Sequence, residues 1–332
     1  MYQVCLKKND ESMIESIQFK NLKVLREATL PLSRCTVLIG ANGSGKNTVF
    51  QALQVYAYQR YNSSWGQIVT VGSPSEAEVQ VTLHFAPPDQ TISWLKLTRQ
   101  SPQASAPYRD VNFKIYSLDA RAIPKPVLLQ ARLELAQTGQ NLAGVLDRIR
   151  DEQPERFEQL NEELGRWFPE FDRILFDTPS GGQRAFLLRT RHGHHAIPAI
   201  DLSQGTLLAL VILTLAYVPE QPSLLCLEEP DRGIHPRLLV EIRDALYRLS
   251  HPESIGEDRP PVQVIVTTHS PYFLDLFRDH PEDIVLAQKT EEGAFFERLS
   301  DRPDIHEILG NAPLGEAWYS GIFGGVPVHQ SS

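Results

Sequence analysis

Residues 35–53 read CTVLIGANGSGKNTVFQAL, and this stretch decides the fold. It begins with an apolar run that ends at Gly40, continues through a glycine-rich turn, and then places apolar residues three and four apart. An apolar run bounded by glycine is typical of a buried strand, and the later spacing is typical of one face of a helix. The stretch therefore predicts a strand, a short loop and a helix over about residues 45–60.

The loop within this stretch matches the pattern GxxxxGK at Gly40, Gly45 and Lys46. Glycines let successive backbone N–H groups turn inward around phosphate oxygens, and the helix N-terminus adds partial positive charge. The lysine ammonium of such a loop reaches the outer phosphates. We therefore predict a nucleotide-binding loop. Its candidate contact residues are Gly40, Asn42, Gly43, Ser44, Gly45, Lys46, Asn47 and Thr48.

One position of the loop departs from the usual pattern. The residue after the lysine is normally Ser or Thr, whose hydroxyl coordinates Mg²⁺, and here it is Asn47. An amide oxygen is also able to ligate the metal, but the side chain is longer, while Thr48 keeps a hydroxyl one residue later. We expect nucleotide binding to survive this change better than hydrolysis does.

A second motif, PSLLCLEEPDRGIHP, spans residues 222–236. Its apolar strand pattern delivers Glu228 and Glu229 at the carboxyl end, where ligands of parallel sheets collect. We expect Glu228 to hold the Mg²⁺ shell, directly or through water. Glu229 is then the candidate base that orients and deprotonates the attacking water.

Two further motifs complete the candidate site. The strand pattern VIVTTHSP carries His269 after its apolar residues. An imidazole there is able to hydrogen-bond the terminal phosphate or the attacking water, and so to sense whether the phosphate is present. The segment DLSQGT, residues 201–206, opens an apolar helix in which Ser203 is a candidate N-cap and Gly205 permits close backbone approach. Either motif alone is also typical of a purely structural residue.

Strands and helices alternate along the rest of the chain, which predicts an α/β fold with a parallel sheet covered on both faces. Three alternating stretches, residues 76–85, 92–97 and 111–116, are expected to form an antiparallel flank beside the first strands. Residues 126–170 change to helical periodicity and are expected to form a helical insert. In that insert Asn141 is a candidate N-cap and Pro154 a first-turn residue.

Composition and charge narrow the function further. The 332 residues carry 32 basic and 41 acidic side chains, a net charge of -9, so no global positive field attracts nucleic acid. Three widely separated cysteines predict reduced thiols in the cytoplasm. The longest apolar run, residues 207–217, is too short to span a membrane. We expect residues 1–12 to be a disordered extension and residues 13–332 to form one domain.

The most basic segment, GGQRAFLLRTRHGHHAI, is the candidate for a local nucleic-acid contact. A solvated hairpin with a polar tip is the better interpretation, because phosphate binding needs several basic groups on one face. A zinc site at its histidines is less favoured still, because no cysteine or carboxylate lies close by in the sequence to complete four ligands.

The order and spacing of Lys46, Ser203, Glu229 and His269 resembles the head domain of ABC-type ATPases, specifically the SMC-like branch with its RecF-like and OLD-like members. The opening strands, the helical insert, the LEEPDRGIHP segment and the tail LGEAWYSGIFGGVP are similar to the AbiEii-like ATPases called AAA21. The resemblance implies a P-loop fold that sandwiches two ATP molecules in a head-to-tail homodimer. Ser203, Gln204 and Gly205 would then complete the partner's site, and Lys23 would be an accessory phosphate contact.

Three functions remain open at this point. The resemblance implies an ATPase whose cycle controls a separately encoded effector protein, as in phage defence. Asn47 favours instead an ATP-binding dimerisation switch with impaired hydrolysis. A DNA-repair ATPase that acts directly on DNA is the third, and the acidic balance of the chain counts against it.

Overall fold

The computed structural model describes residues 13–58, 69–70, 73–74, 77–86, 90–97, 112–130, 133–311 and 313–323. The expected extension at residues 1–12 lies outside this part of the chain. The described residues divide into two compact units. The first unit falls within residues 1–115, 222–226 and 250–332, and the second within 116–221 and 227–249.

A six-stranded sheet forms the centre of the first unit, in the order β14-β13-β3-β12-β11-β6. Strand β3 pairs in parallel with both β12 and β13, and β14 pairs antiparallel with β13. Every residue of β3 and of β12 is buried, which explains their continuous apolar sequence. The strands are β3 (Cys35–Gly40), β6 (Phe113–Tyr116), β11 (Leu224–Glu228), β12 (Gln263–Thr267), β13 (Ile284–Thr290) and β14 (Gly293–Arg298).

An antiparallel sheet with the order β2-β1-β4-β5 accompanies it in the first unit. Its strands are β1 (Ile14–Leu22), β2 (Leu25–Pro31), β4 (Val79–Phe85) and β5 (Gln90–Leu97). Alternate residues of β1, including Ile17 and Phe19, are buried in a core shared with Leu38 of β3. The antiparallel flank is therefore packed on the central sheet through one apolar face.

The expectation that residues 111–116 join this antiparallel flank is wrong. Strand β6 lies instead at the edge of the six-stranded sheet beside β11. The backbone N–H of Ser223 donates to the carbonyl of Asn112, which ties the start of β6 to the start of β11. Alternation of apolar residues identifies a strand, but it does not identify the strand with which it pairs.

Four helices of the first unit are described: α1 (Lys46–Tyr58), α6 (Pro271–Asp275), α7 (Ile305–Asn311) and α8 (Leu314–Tyr319). Helix α1 follows β3 after a short loop, as the sequence predicts. Its inner face buries Val49, Phe50 and Leu53 in the core under the antiparallel strands. None of the helices in the described ranges is long and apolar enough to cross a membrane.

The second unit contains α2 (Leu142–Glu152) and α3 (Pro154–Trp167), together with α4 (Gln204–Leu215) and α5 (Leu239–Ser250). The helical insert expected over residues 126–170 is thus helical only from Leu142, and residues 127–128 form a strand instead. Its strands are β7 (Val127–Leu128), β8 (Phe171–Asp177), β9 (Gln183–Thr190) and β10 (Ala196–Pro198), and β7, β8 and β10 each pair with β9. Helices α2 and α3 pack on one another and on this small sheet.

Both sequence signals at the helical pair have a structural counterpart, but one works differently. Pro154 is the first residue of α3, as predicted. Asn141 occupies the N-cap position of α2 without bonding the helix with its side chain. Its amide accepts from the backbone N–H of Ala136 and donates to the carbonyl of Glu134, so it braces the preceding loop instead.

A buried glutamine joins the antiparallel strands to the central sheet. The Gln263 side chain, 3% exposed, lies at the start of β12. Its Oε1 accepts from the backbone N–H of Ile14 at 3.0 Å, and its Nε2 donates to the carbonyls of Ile14 at 2.7 Å and Ser33 at 3.1 Å. One side chain thereby satisfies three backbone groups that would otherwise be buried without partners.

We expect Gln263→Leu to lower the free energy of unfolding by at least about 2 kcal/mol, because it keeps the volume but strands these backbone groups. The measurement is urea unfolding followed by circular dichroism. Gln18→Leu, at a half-buried position of β1, is the matched control and should cost less. Equal losses for the two variants would contradict the bracing role of Gln263.

Candidate functional site

The predicted nucleotide-binding loop, residues 40–48, which we call the phosphate loop, contains three glycines with positive φ angles. Gly40, Gly43 and Gly45 have φ angles of +152°, +76° and +102°, a region that other residues rarely adopt. A Cβ atom at Gly40 would lie 2.2 Å from the carbonyl oxygen of Ala287 in β13. The loop therefore turns directly against the neighbouring strand, and the glycine at its first position has a packing reason.

Lys46 begins α1, and its side chain is almost fully buried inside the loop. Its Nζ donates to the carbonyl oxygens of Gly40 at 2.7 Å and Ala41 at 3.0 Å. Next to it, Ser44 Oγ is buried and has no hydrogen-bond partner among the described residues. A cation and an unsatisfied hydroxyl at a helix N-terminus fit the phosphate chain of a nucleotide.

The two residues after Lys46 differ in exposure. Asn47 is exposed, whereas Thr48 is buried, with 8% of its surface accessible. The exposed amide of Asn47 is thus accessible to a hydrated metal, since it faces the solvent beside the loop. Asn42 and Gly43 at the tip of the loop are exposed as well.

The turn between β1 and β2 lies against this loop. A Cβ atom at Gly45 would lie 2.9 Å from Leu25 Cδ2 and 3.4 Å from Val24 Cγ2. In the same turn Lys23 adopts a positive φ of 51°, and its Nζ bonds Oε1 of Gln51 on α1. Tertiary packing therefore brings a second lysine to the region of the phosphate loop.

His269 follows the strand next to the one that leads into the phosphate loop. Strands β3 and β12 are parallel neighbours, and the backbone N–H of Thr268 donates to the carbonyl of Leu38 at 3.3 Å. The phosphate loop and His269 thus leave the same edge of the sheet, where ligands of parallel sheets collect. His269 is half-buried.

In the second unit, Glu229 has an unusual backbone. Glu228 is the last residue of β11, and Glu229 comes next with a φ of +45°. A left-handed conformation is strained for a residue with a Cβ, and such strain is concentrated at functional sites. The Glu229 carboxylate is 32% exposed and lies 3.8 Å from the guanidinium of Arg232. Both glutamates are half-buried.

The DLSQGT segment caps α4 as predicted. Ser203 Oγ accepts from the backbone N–H of Thr206 at 3.1 Å, and Ser203 and Gln204 are exposed. A Cβ atom at Gly205 would lie 2.9 Å from the carbonyl oxygen of Gly233. Gly233 is a position that sequence reasoning missed. Its glycine in PDRGIH was the available signal, but only packing shows that this segment meets the start of α4.

The arginines of the basic segment are used inside the second unit. Arg189 donates to both carboxylate oxygens of Asp172, at 2.8 and 3.0 Å, and this hydrogen bonding holds the pKa of Asp172 below its ordinary value. Arg184 lies 3.1 Å from the buried Asp147. Arg191 donates to the backbone carbonyl of Pro169, in the turn between α3 and β8. The hairpin interpretation is favoured over a phosphate-binding face.

The histidines of the basic segment and the two described cysteines show no arrangement for metal binding or thiol chemistry. His192, His194 and His195 are exposed on the hairpin turn, and no three His, Cys, Asp or Glu side chains of the described ranges form a metal-binding group. Cys35 and Cys226 are free and fully buried, and burial raises the pKa of both thiols. Buried neutral thiols are unreactive.

The close approach at Gly40 gives a stability prediction. We expect Gly40→Ala to lower the free energy of unfolding by about 3 kcal/mol or more, because its Cβ overlaps the Ala287 carbonyl. Gly43→Ala is the matched control: it has a positive φ but no atom within 4 Å, so we expect only about 1–2 kcal/mol of backbone strain. Thermal unfolding of the two variants compares them, and a larger loss at Gly43 would refute the packing account.

Solved structures with the same fold are SMC head domains. The SmcHead bound to the C-winged helix domain of ScpA matches with a TM-score of 0.62 and 16% identity, over 86% of this chain and 98% of that chain. The SMC head of Thermotoga maritima gives 0.51 and 17%, over 86% and 99%. An Smc head bound to the C-terminal domain of ScpA, from Pyrococcus furiosus, gives 0.57 and 15%, over 90% and 99%. The fold is that of an ABC-type P-loop ATPase head.

Two sequence comparisons agree with this fold. An OLD nuclease of Thermus scotoductus is 22% identical over 368 residues, which cover 91% of this chain and 68% of the nuclease. The profile of the AAA21 family, described as "AAA domain, putative AbiEii toxin, Type IV TA system", matches residues 73–275, a range that includes Ser203, Glu229 and His269. The chain therefore belongs to the AAA21 family and is an ATPase of the SMC-like and OLD-like type.

Proposed function

We propose that this protein binds ATP with Mg²⁺, hydrolyses it, and forms a head-to-tail homodimer around two nucleotides. The phosphate loop is the observation that carries this proposal. Its glycines adopt positive φ angles, and the turn that they form holds the buried Lys46 at the N-terminus of α1, two residues after the unpartnered hydroxyl of Ser44. Such an arrangement has no structural use for the Ser44 hydroxyl, but it fits the oxygens of a bound phosphate.

The residues of the loop divide the binding work. Lys46, Ser44 and the first backbone N–H groups of α1 hold the outer phosphates, and Lys23 adds positive charge from the β1–β2 turn. Asn47 or Thr48, together with Glu228, hold the metal shell. Mg²⁺ bound there would supply positive charge against the phosphate oxygens.

Hydrolysis needs a base and a donor at the terminal phosphate. Glu229 orients a water and accepts its proton as the water oxygen bonds to the γ-phosphorus. The bond from the γ-phosphorus to the bridging oxygen breaks, and ADP and inorganic phosphate leave. His269 donates a hydrogen bond to the γ-phosphate. The strained backbone at Glu229 supports this role, since strain of that kind persists where a side chain must be held in one direction.

The exposed start of α4 supports the dimer. Ser203 and Gln204 lie at a capped helix N-terminus, an electropositive end that suits the γ-phosphate held by a second copy. Gly205 contacts the Gly233 segment, which follows the candidate base Glu229. A partner's nucleotide that binds Ser203 is therefore able to influence Glu229 through the contact between Gly205 and Gly233.

Control of a separate effector protein, in a setting such as phage defence, is the wider role we infer. Two of the SMC heads above are bound to domains of another protein, ScpA, and the curated relative is a nuclease. Direct binding of DNA is the weaker alternative, because Arg189 and Arg184 of the basic hairpin pair with carboxylates of the protein itself. We place the protein in the cytoplasm.

Glu229→Gln should retain ATP binding, reduce turnover by about a hundredfold or more, and accumulate an ATP-bound dimer, because the amide orients water but accepts no proton. Light scattering with ATP and Mg²⁺ measures the mass, and phosphate release measures turnover. Glu155→Gln, an exposed glutamate of α3, should behave like the parent.

Two further variants identify what fails in that experiment. Lys46→Ala should lose both nucleotide binding and dimerisation, whereas Ser203→Arg should bind ATP as a monomer. Turnover that returns on mixing these two inactive chains supports composite sites. A Ser203→Arg chain that dimerises and turns over like the parent would argue against the head-to-tail arrangement.

Asn47→Ser distinguishes an enzyme from a switch. If the amide is a poor metal ligand, the hydroxyl should raise turnover by about tenfold or more, with nucleotide affinity little changed. Steady-state phosphate release and nucleotide titration measure the two quantities. Asn112→Ser, at another exposed asparagine of the first unit, is the control. A parent rate equal to that of Asn47→Ser would show that Asn47 serves as a competent ligand.

A further inference from the structure

The C-terminal helix α8 is packed directly on the segment that follows His269. The backbone N–H of Gly315 donates to Oδ1 of Asp275 at 2.8 Å, and a Cβ atom at Gly315 would lie 2.4 Å from the carbonyl oxygen of Pro271. Leu314 and Ala317 are fully buried. Helix α8 is therefore fixed against α6, which begins two residues after His269.

This packing places Trp318 beside the candidate phosphate sensor. The ring centroids of Trp318 and His269 are 6.4 Å apart with an interplanar angle of 39°, within the range of aromatic contact. Trp318 is 8% exposed. Its indole Nε1 is buried and has no hydrogen-bond acceptor among the residues that the structure describes. A buried donor left unpaired is costly, so its retention calls for a physical reason.

Three side-chain oxygens of residues 268–275 already accept hydrogen bonds. Thr268 Oγ1 accepts from the backbone N–H of Ser270, and Ser270 Oγ accepts from that of Phe273. Asp275 Oδ1 is taken by Gly315. The imidazole of His269 is the adjacent ring, and a neutral imidazole always has one nitrogen that accepts and one that donates.

We propose that Trp318 is a positioning residue for His269. When His269 turns toward the nucleotide, the indole Nε1–H donates to one imidazole nitrogen, and that nitrogen must then be unprotonated. The other ring nitrogen carries the proton and directs it to the γ-phosphate, because the bond made at one nitrogen sets the tautomer of the ring. The inference rests on the proposed function, but the tautomer of His269 is measurable without hydrolysis.

Trp318→Phe tests this contact, since it keeps an aromatic ring and removes the N–H. We expect kcat for ATP to fall by about tenfold, with KM and dimerisation unchanged, because only positioning at the reacting phosphate is lost. The tautomer is read by NMR from the ring-nitrogen chemical shifts of His269, in protein with ¹⁵N-labelled histidine and a bound ATP analogue. The parent should show one tautomer, and Trp318→Phe should show a mixture of the two. His269→Gln assigns the signals, and Tyr319→Phe, the exposed neighbour on α8, should alter neither readout.

A second variant guards against loss of packing in Trp318→Phe. A chain with 3-benzothienylalanine at position 318 retains the bicyclic ring and lacks the donor, so it should reproduce the tautomer mixture. Unchanged ring-nitrogen signals in this chain would overturn the proposal, whatever the turnover. A changed tautomer in a protein whose parent hydrolyses no ATP would support the contact and refute the proposed function instead.

Discussion

The close contact between Gly40 and the β13 carbonyl of Ala287 is the constraint on which the candidate site depends. It leaves no space for a Cβ atom, so the loop turns at the end of β3 and delivers Lys46 onto the carbonyls of Gly40 and Ala41. The parallel pairing of β3 with β12 and β13 creates this contact, because its register places Ala287 of β13 opposite Gly40. The geometry of the candidate phosphate loop is in this sense a property of the sheet.

Buried polar bonds extend the same order to the antiparallel flank. Gln263 ties the first residue of β1 and the loop before β3 to the start of β12. The opposite end of β1 leads into the turn that carries Lys23 and that packs on Gly45. Strand β1 thus connects the hydrogen bonds of Gln263 to the turn that carries Lys23. Hydrogen-bond satisfaction and site geometry are linked here through one strand.

The second unit presents a complementary set of groups. A strained Glu229, a capped and exposed Ser203, and the contact between Gly205 and Gly233 are all local to that unit. Each has a conventional structural explanation alone. Under the proposed function they would supply a base, an electropositive helix end and a packed connection between the segments that carry them.

The sequence by itself determined the local elements and the family: the strand, loop and helix around Lys46, the Ser203 cap, and the strands that lead to Glu228 and His269. These depend on short-range periodicity, on glycine and on capping chemistry, which neighbouring residues encode. Only the tertiary structure decided that β6 pairs with β11 and that Asn141 braces a loop. It also decided that the arginines of the basic segment bond to groups within the protein, and that Gly233 and Trp318 lie next to candidate site residues. Those facts depend on contacts between residues distant in the chain, and no local pattern specifies which partner a buried side chain meets.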